Sequence, residues 1–331
     1  MDSVIVLAKT TTLFLLIAVG WLSRRRGYLS AEATSILGRF VVDFSLPALI
    51  LVQLIATVDR HTLRQDWASL VLAVLVLGLA LGLGVALSPA LAPRKSRSTC
   101  AFLIGIPNWI YLPLPIAQEL FGGDGVRAVL LCNIVFQLLL WSVGLAVLRG
   151  RLDRGALRRA LLNPGLAAAL IGIGLAILAP ELRTYQALSL SAAPSAGPIA
   201  VKVVLDSAAL LGQLTIPLSL LLIGAQLGGM ARPKIRDIRL LSSLVAARLL
   251  LGPLVTVLAF QGLGALGWAV PEVPRKVALL ISAMPVAVTC GIITERYGGD
   301  ADLSAGAIFT STLLCLLTVP LWMLGFAAWP G

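Results

Sequence analysis

Two charged side chains, Arg39 and Asp43, fall in the middle of a long apolar stretch of the sequence. A charge at that depth of a bilayer is costly, so a residue kept there is a candidate for a functional role. The two residues are four apart on one face of a helix, which favours an ion pair between them. Asp43 would equally suit a proton-binding site, and the residue pattern leaves both interpretations open. A third charge, Arg248, is expected to tie span ends together or to reach lipid headgroups by snorkelling.

The sequence offers no accompanying set of nucleophiles or metal ligands. Its four cysteines form no CxxC pair, and we expect them to be small buried hydrophobic side chains. They are Cys100, Cys132, Cys290 and Cys315. The single histidine, His61, falls in a loop, and the chain contains no HExxH, GxSxG or P-loop motif. We therefore predict a protein that is not an enzyme and that uses no metal and no cofactor.

Prolines interrupt two of the apolar stretches. Pro107 precedes Asn108 in one stretch, and Pro285 precedes Val286 and Ala287 in another. A proline removes a backbone hydrogen bond from a helix, and in lipid such a break is tolerated where it is buried or lines a wet cavity. If both stretches unwind and cross, the positive ends of their second half-helices point at one spot and favour an anion.

Membrane-spanning helices must position these residues. Of the 331 residues, 59% are hydrophobic and 12% are charged, against about 25% charged in soluble domains, and the mean hydropathy is +0.98. This composition excludes a soluble enzyme, a nucleic-acid-binding domain, a disordered chain and an outer-membrane barrel. A length of about 20 apolar residues per span predicts an all-α polytopic membrane protein with ten transmembrane helices. The predicted spans are 4–23, 33–57, 67–91, 100–121, 126–148, 163–181, 200–228, 240–268, 277–296 and 303–328.

The positions of the basic residues explain the net charge of +11. Sixteen of them lie in one set of alternate loops, at 24–26, 94–97, 149–159, 232–239 and 296, and seven lie in the other set. Short basic loops stay on the cytoplasmic side of a membrane. We therefore predict a multi-pass protein of the cytoplasmic (inner) membrane with both termini outside. The basic residues are then explained by the orientation of the protein in the lipid bilayer, and we expect no binding of nucleic acid.

Short motifs recur in the two halves of the chain. Ser45-Leu46-Pro47 in the second span matches Thr215-Ile216-Pro217 in the seventh. The fourth span ends at Gly122-Gly123-Asp124, and the ninth ends at Gly298-Gly299-Asp300. We interpret these matches as an internal repeat of five spans.

An odd number of spans per repeat turns the second copy over in the membrane. We therefore predict a first five-helix repeat at 1–148, a cytoplasmic linker at 149–162 and a second, inverted repeat at 163–331. Inverted repeats with broken helices at matching positions are typical of secondary transporters that bind substrate near the midplane.

Seven stretches, in order along nearly the whole chain, resemble the auxin efflux carrier family. This family includes bacterial transporters and plant PIN-type carriers within the bile acid/auxin transporter superfamily. The stretches are Gly38 to Pro47, Pro107-Asn108, Gln137 to Trp141, Asn163-Pro164, Arg248 to Pro253, Met284-Pro285 and Glu295 to Gly299. The resemblance implies ten helices in two inverted repeats, a crossing of broken helices 4 and 9, and often a homodimer. It also implies transport of small organic anions such as auxins, malate or malonate.

The resemblance also implies roles for single residues. Pro107 and Pro285 match the prolines of the crossing in this family. Asn108 matches the asparagine that binds substrate carboxylate, and Gln137 matches a glutamine of the site on helix 5. These four residues are therefore the expected substrate site.

Two departures from the family pattern bear on the substrate. The second crossing continues as Val286-Ala287, which is more apolar than the glutamine-glycine of plant carriers. The Asn-Thr-Gly of typical bacterial members is replaced by Asn108-Trp109-Ile110. We expect the bulk of Trp109 to narrow or reshape the pocket.

The combined expectation is a secondary active transporter that moves a small carboxylate by alternating access, with a proton as a possible coupled ion at Asp43. A sodium-coupled symporter of the bile-acid-transporter type is one alternative, but sparse acids within the spans disfavour a sodium site. A non-transporting membrane receptor or a membrane-embedded enzyme is another, disfavoured because the sequence shows no catalytic cluster and predicts no soluble output domain.

Overall fold

Helices and short connections make up the part of the chain that the computed structural model describes. The described residues are 3–151, 155, 158, 160, 162–188, 196–229, 237–268 and 270–327. The first eight helices are α1 (Ser3–Arg25), α2 (Ala31–Phe40), α3 (Leu46–Thr57), α4 (Arg60–Leu91), α5 (Arg97–Gly105), α6 (Pro113–Leu139), α7 (Leu145–Arg149) and α8 (Pro164–Leu178). The others are α9 (Glu181–Ala187), α10 (Ala196–Gln213), α11 (Thr215–Gly229), α12 (Ile238–Ala246), α13 (Gly252–Ala265), α14 (Glu272–Ser282), α15 (Thr289–Tyr297) and α16 (Ala301–Ala327). Five basic residues of the predicted cytoplasmic loops, Arg154, Arg159, Arg232, Lys234 and Arg236, lie outside the described residues.

Six helical stretches in the described ranges are long and apolar enough to cross a bilayer. They are Ala31–Thr57, Asp66–Leu91, Pro113–Arg149, Gly197–Gly229, Ile238–Ala265 and Ala301–Phe326. The pair α8 and α9, bent by 99°, makes a seventh if it counts as one span. An all-helical, multi-pass membrane protein is thus confirmed, whereas the count of ten spans stays a prediction.

The predicted fourth and ninth spans are each divided into two helices. Residues 106–112 separate α5 from α6, and residues 283–288 separate α14 from α15. Pro107 and Pro285 lie in these two gaps, and neither has the N–H that the next helical hydrogen bond needs. The breaks expected at these prolines are confirmed.

The predicted boundary between the fourth and fifth spans is a kink inside α6. Gly122 has φ 61° and ψ −146° there, a conformation that strains any residue with a side chain. Gly298, its match in the second half, follows α15 with φ 77°. The repeated glycine of the sequence therefore has a positive φ in both halves, although ψ differs because Gly122 kinks a continuous helix and Gly298 ends one.

Within the described residues, three spans contain a five-residue π-helical segment. The segments are Val41–Ser45, Leu140–Gly144 and Ala247–Leu251. Pro47 follows the first and Pro253 follows the third, each two residues after the segment. A proline clashes with the carbonyl four residues before it, and the wider π turn relieves this clash. The first segment contains Asp43 and the third contains Arg248.

The helices pack in two groups. In one, α1 packs on α11, and α3 packs on α8 and α10; in the other, α4, α5, α6, α14 and α16 pack together. The α1–α11 crossing is very close, because a Cβ atom at Gly20 would lie 2.0 Å from the Leu221 carbonyl oxygen. A Cβ atom at Gly224 would lie 1.9 Å from the Ile17 carbonyl oxygen. Glycine at both points lets the two backbones touch.

Candidate functional site

The two interrupted helices meet at their breaks. The N–H of Asn108 donates to the carbonyl of Pro285 at 2.8 Å. The N–H of Ala287 donates to the carbonyl of Ile106 at 3.2 Å. Backbone groups that lose their helical partner at one break are thereby hydrogen-bonded by backbone groups of the other break. Such pairing is required because an apolar interior offers no water to replace it.

The predicted site residues of the second break are part of this contact. Pro107 and Val286 form an isolated antiparallel bridge, and both are buried. The N–H of Val286 donates to Oγ of Ser311 on α16 at 3.1 Å, so a third helix holds the break. Pro285 contributes its carbonyl, and Ala287 contributes its N–H. These residues supply backbone geometry to the site, and their side chains supply no polar group.

Arg248 lies behind the crossing and joins the ends of the first half-helices. Its Nη1 donates to the carbonyl of Ile104 in α5 at 2.8 Å, and its Nη2 donates to the carbonyl of Ser282, the last residue of α14. The side chain is 0% exposed. The snorkelling expectation is therefore wrong, and the ends that Arg248 joins are those of half-helices inside two spans, not the span ends that were predicted. The negative ends of two helix dipoles face the guanidinium and offset part of its desolvation.

A cavity of about 450 Å³ lies between this crossing and the helices α2 and α11. It extends from Ala31, in the first turn of α2, to Asn108 at the crossing. Its polar lining consists of Thr34, Ser35, Arg39, Asp43, Asn108, Tyr111, Ser219, Gln226 and Thr289. The cavity therefore brings predicted site residues from two distant parts of the chain into one space.

Arg39 and Asp43 both line this cavity, and both side chains are exposed. The ion pairs found among the described residues involve other side chains. An open cavity, and not a salt bridge, therefore accounts for a carboxyl group at this depth of a span. The coupling role of Asp43 stays a prediction.

A smaller cavity of about 110 Å³ adjoins the larger one. Both cavities are lined by Asn108, Tyr111 and Thr289. Gln137 lines the smaller cavity together with Ala287. The two amide side chains predicted for the site, Asn108 and Gln137, thus face a common space.

Asn108 is held so that its amide group can serve a ligand. Its side chain is 5% exposed, and its Oδ1 accepts a hydrogen bond from the N–H of Tyr111 at 3.2 Å. With Oδ1 used in this turn, Nδ2 has no partner in the described part of the chain. An amide nitrogen in that state can donate to a carboxylate oxygen.

Trp109 lines the smaller cavity and is fixed on two sides. Its ring stacks on Phe136 with the ring centroids 5.5 Å apart and 5° between the planes. Its Nε1 donates to Oδ1 of Asn133 at 3.0 Å. The bulk of this indole therefore limits the smaller cavity and leaves the larger one free.

Tyr111, Ser219 and Gln226 are among the polar residues of the larger cavity that sequence reasoning missed. Ser219 is 4% exposed, and within the described residues its Oγ has no hydrogen-bond partner. Ser219 and Gln226 are seven residues apart and so share one face of α11. A serine and a glutamine on one face of a largely apolar helix were the signal that could have found Ser219 and Gln226.

Comparison with known proteins assigns the chain to a family. A model of the family described as "Membrane transport protein" matches residues 5–323. An uncharacterized transporter of Methanothermobacter thermautotrophicus is 25% identical over 321 residues, which cover 94% of this chain and 95% of that protein. An uncharacterized transporter of Methanocaldococcus jannaschii is 23% identical over 317 residues, which cover 93% of this chain and 94% of that protein. The chain therefore belongs to this membrane transport protein family, the auxin efflux carrier family that its sequence resembles.

Proposed function

We propose that the chain is a secondary carrier that moves a small organic anion across the cytoplasmic membrane by alternating access. The observation that carries the proposal is the contact of two broken helices at the inner end of a cavity of about 450 Å³. That volume falls in the range of about 300–1,000 Å³ that is usual for small-molecule sites. Asn108 lies where the cavity meets the contact.

Several features around this point favour a negatively charged ligand. Thr289, the first residue of α15, lines both cavities, and α6 begins two residues after Tyr111. The positive ends of two helix dipoles therefore face the space. Arg39 adds a full positive charge, and Asn108 and Gln137 add amide donors. A carboxylate fits this combination of donors best.

Contacts between helices support an inverted repeat of ten spans. In the predicted repeat, each span of the first half matches the span five places later, so α1 corresponds to α8 and α3 corresponds to α11. The packing of α1 on α11 is then equivalent to the packing of α8 on α3, and both contacts are present. Ser45 and Thr215, which the sequence repeat aligns, share a hydrogen bond of 2.7 Å between their hydroxyl groups. Equivalent residues meet in this way near a two-fold axis. On this basis the repeats cover 1–148 and 163–331, with the linker 149–162 between them.

Ion pairs support the predicted orientation. Ion pairs of the described residues include those of Arg127, Arg183, Lys202 and Lys276, which all belong to the loops predicted to lie outside. Acidic partners there balance the basic charge of these loops, as expected for the side with fewer basic residues. The larger cavity begins in the first turn of α2, after the basic segment Arg24–Arg26. In this orientation the cavity opens toward the cytoplasm.

Proton coupling through Asp43 completes the proposal. Asp43 is the acidic residue of the cavity lining, and it faces the same space as Asn108. A carboxyl group that takes up a proton on one side and releases it on the other couples proton movement to anion movement. Gln213, the repeat counterpart of Asp43, does not titrate, so one proton site per chain is expected.

The test is flux through the purified full-length chain in proteoliposomes. Radiolabelled malate, malonate and indole-3-acetate serve as probes, with an imposed pH gradient or an imposed sodium gradient. We expect wild-type protein to move at least one probe and Asn108→Ala to lose about 10–100-fold, because a hydrogen bond to a charged ligand is lost. Gln261→Ala, an amide removed from an exposed position on α13, is the matched control and should retain flux.

Each result bears on a different part of the proposal. Wild-type flux in Asn108→Ala would overturn the site. Wild-type protein that moves none of the three probes under either gradient would overturn transport of a small carboxylate. Flux that needs sodium and does not respond to the pH gradient would overturn proton coupling at Asp43 and favour the sodium symporter.

A further inference from the structure

A groove of about 470 Å³ lies at the outer surface of the helices, between the ends of α4, α5 and α7. Its lining includes Arg97, Ser98 and Arg151 at one end, and Val85 and Val143 elsewhere. These residues do not belong to the lining of either cavity at the crossing. The groove is therefore a feature of the outer surface, separate from the cavities at the crossing.

The lining changes from charged to apolar along the direction of the spans. Arg97 is the first residue of α5, and Arg151 follows the end of α7. Val85 and Val143 lie six residues before the ends of α4 and α7, which is about 9 Å deeper along a helix. They are 50% and 43% exposed. A phospholipid has the same order of parts, with a charged headgroup above apolar chains.

Both arginines have unused hydrogen-bonding capacity. Arg97 donates its Nε to the carbonyl of Ala92 at 3.2 Å, which leaves its two Nη groups without a partner among the described residues. Arg151 is exposed, and the ion pairs of the described chain do not include it. An anion that enters the groove therefore meets two guanidinium groups, and the described residues that line the groove include no carboxylate.

Local backbone geometry explains why these groups converge. Gly150 ends α7 with φ 69°, a left-handed conformation that favours glycine, and the turn brings Arg151 to the groove. A Cβ atom at Gly84 would lie 2.3 Å from the carbonyl oxygen of Ala101, so α4 and α5 touch at the floor of the groove. The groove is thus a consequence of packed helices.

We propose that this groove binds an anionic phospholipid. The phosphodiester lies against Arg97 and Arg151, and an acyl chain lies along Val85 and Val143. Charge complementarity selects an anionic headgroup, and the apolar walls select a lipid over a free phosphate ion. Both arginines belong to the basic loops predicted to be cytoplasmic, where the leaflet is negatively charged. The proposal does not depend on which substrate the chain transports.

The test compares lipids on the purified full-length chain in detergent. Phosphatidylglycerol, phosphatidylcholine and glycerol 3-phosphate are titrated separately, and the thermal unfolding midpoint and native mass spectra are recorded. We expect phosphatidylglycerol to raise the midpoint most, because a ligand that binds the folded state stabilises it. The double variant Arg97→Gln/Arg151→Gln should weaken apparent binding by about 30-fold, as two juxtamembrane arginines are lost.

The matched control is Arg60→Gln/Arg64→Gln, two exposed arginines on the side predicted to lie outside. It should bind phosphatidylglycerol as the wild type does. Equal stabilisation by phosphatidylcholine, or unchanged phosphatidylglycerol binding in the Arg97→Gln/Arg151→Gln variant, would overturn the proposal. Equal stabilisation by glycerol 3-phosphate would identify a site for a free anion and would also overturn it.

Discussion

Substituting Gly224 by alanine tests the packing that borders the larger cavity. The added Cβ would lie 1.9 Å from the Ile17 carbonyl oxygen and 2.8 Å from the Trp21 nitrogen. Ordinary contact begins at 3.4 Å, so the backbones of α1 and α11 must separate by about 1.5 Å. Both obstacles are backbone atoms in helices, and neither can rotate away as a flexible side chain would.

Two opposing terms decide the size of the effect. Alanine gains about 1 kcal/mol over glycine in a helix interior. Overpacking costs about 1–3 kcal/mol, and separating the helices also forfeits much of the dispersion energy along their contact. The combined cost of overpacking and lost dispersion energy exceeds the gain in helix propensity. We therefore expect a net destabilisation of about 2 kcal/mol for Gly224→Ala.

Thermal unfolding in detergent, followed by tryptophan fluorescence, measures this effect. Gly82→Ala is the matched control, because Gly82 also lies inside a helix but has no atom within 4 Å of the added Cβ. We expect the midpoint to fall by roughly 4 °C or more for Gly224→Ala and to hold or rise for Gly82→Ala. A midpoint for Gly224→Ala at or above that of Gly82→Ala would refute the close crossing of α1 and α11.

Three further predictions concern single residues. Arg248→Met should lower the unfolding midpoint more than Arg248→Lys, because methionine leaves two buried carbonyls without a hydrogen-bond donor. Each unpaired carbonyl costs about 1–3 kcal/mol of stability. Equal midpoints for the two variants would contradict the tie between α5 and α14. Asp59→Ala should destabilise the chain at neutral pH, because hydrogen bonds from Thr62, followed by Arg183, lower the pKa of Asp59 from 3.8 to about 2. A lowered pKa of Asp59 stabilises the fold above pH 3.8, and this stabilisation is lost as the pH falls toward 2. The difference in unfolding midpoint between Asp59→Ala and wild type should therefore shrink over that range. A difference that does not depend on pH would contradict this explanation. Gln137→Ala should raise the calorimetric Kd of a transported carboxylate about tenfold, and an unchanged Kd would remove Gln137 from the site.

Local properties of the sequence predicted much of the fold. Hydropathy predicted an all-helical, multi-pass membrane protein, since a helix of about 20 apolar residues is the simplest way for one segment to cross lipid. Pro107 and Pro285 predicted the two breaks, because the missing N–H acts within one turn of the helix. Gly122 and Gly298, which the sequence aligned as part of an internal repeat, both adopt positive φ.

The candidate site was predicted less completely. Asn108 and Gln137 were expected together, and they line one cavity. Tyr111 and Ser219 were missed because hydropathy does not tell a cavity wall from a packed interface. Arg248 was expected at span ends or at lipid headgroups, and its burial against Ile104 places it instead at the breaks inside two spans.

The sequence by itself determined that this chain is a helical membrane protein, where two of its helices break and which loops are basic. These properties follow from short-range effects, namely the cost of polar groups in lipid and the chemistry of proline. Only the tertiary structure decided that the breaks at Pro107 and Pro285 pair with each other and that Arg39, Asp43 and Asn108 face one cavity. Residues so far apart in the chain are brought together by helix packing, which depends on surface shape along whole helices and not on any single motif.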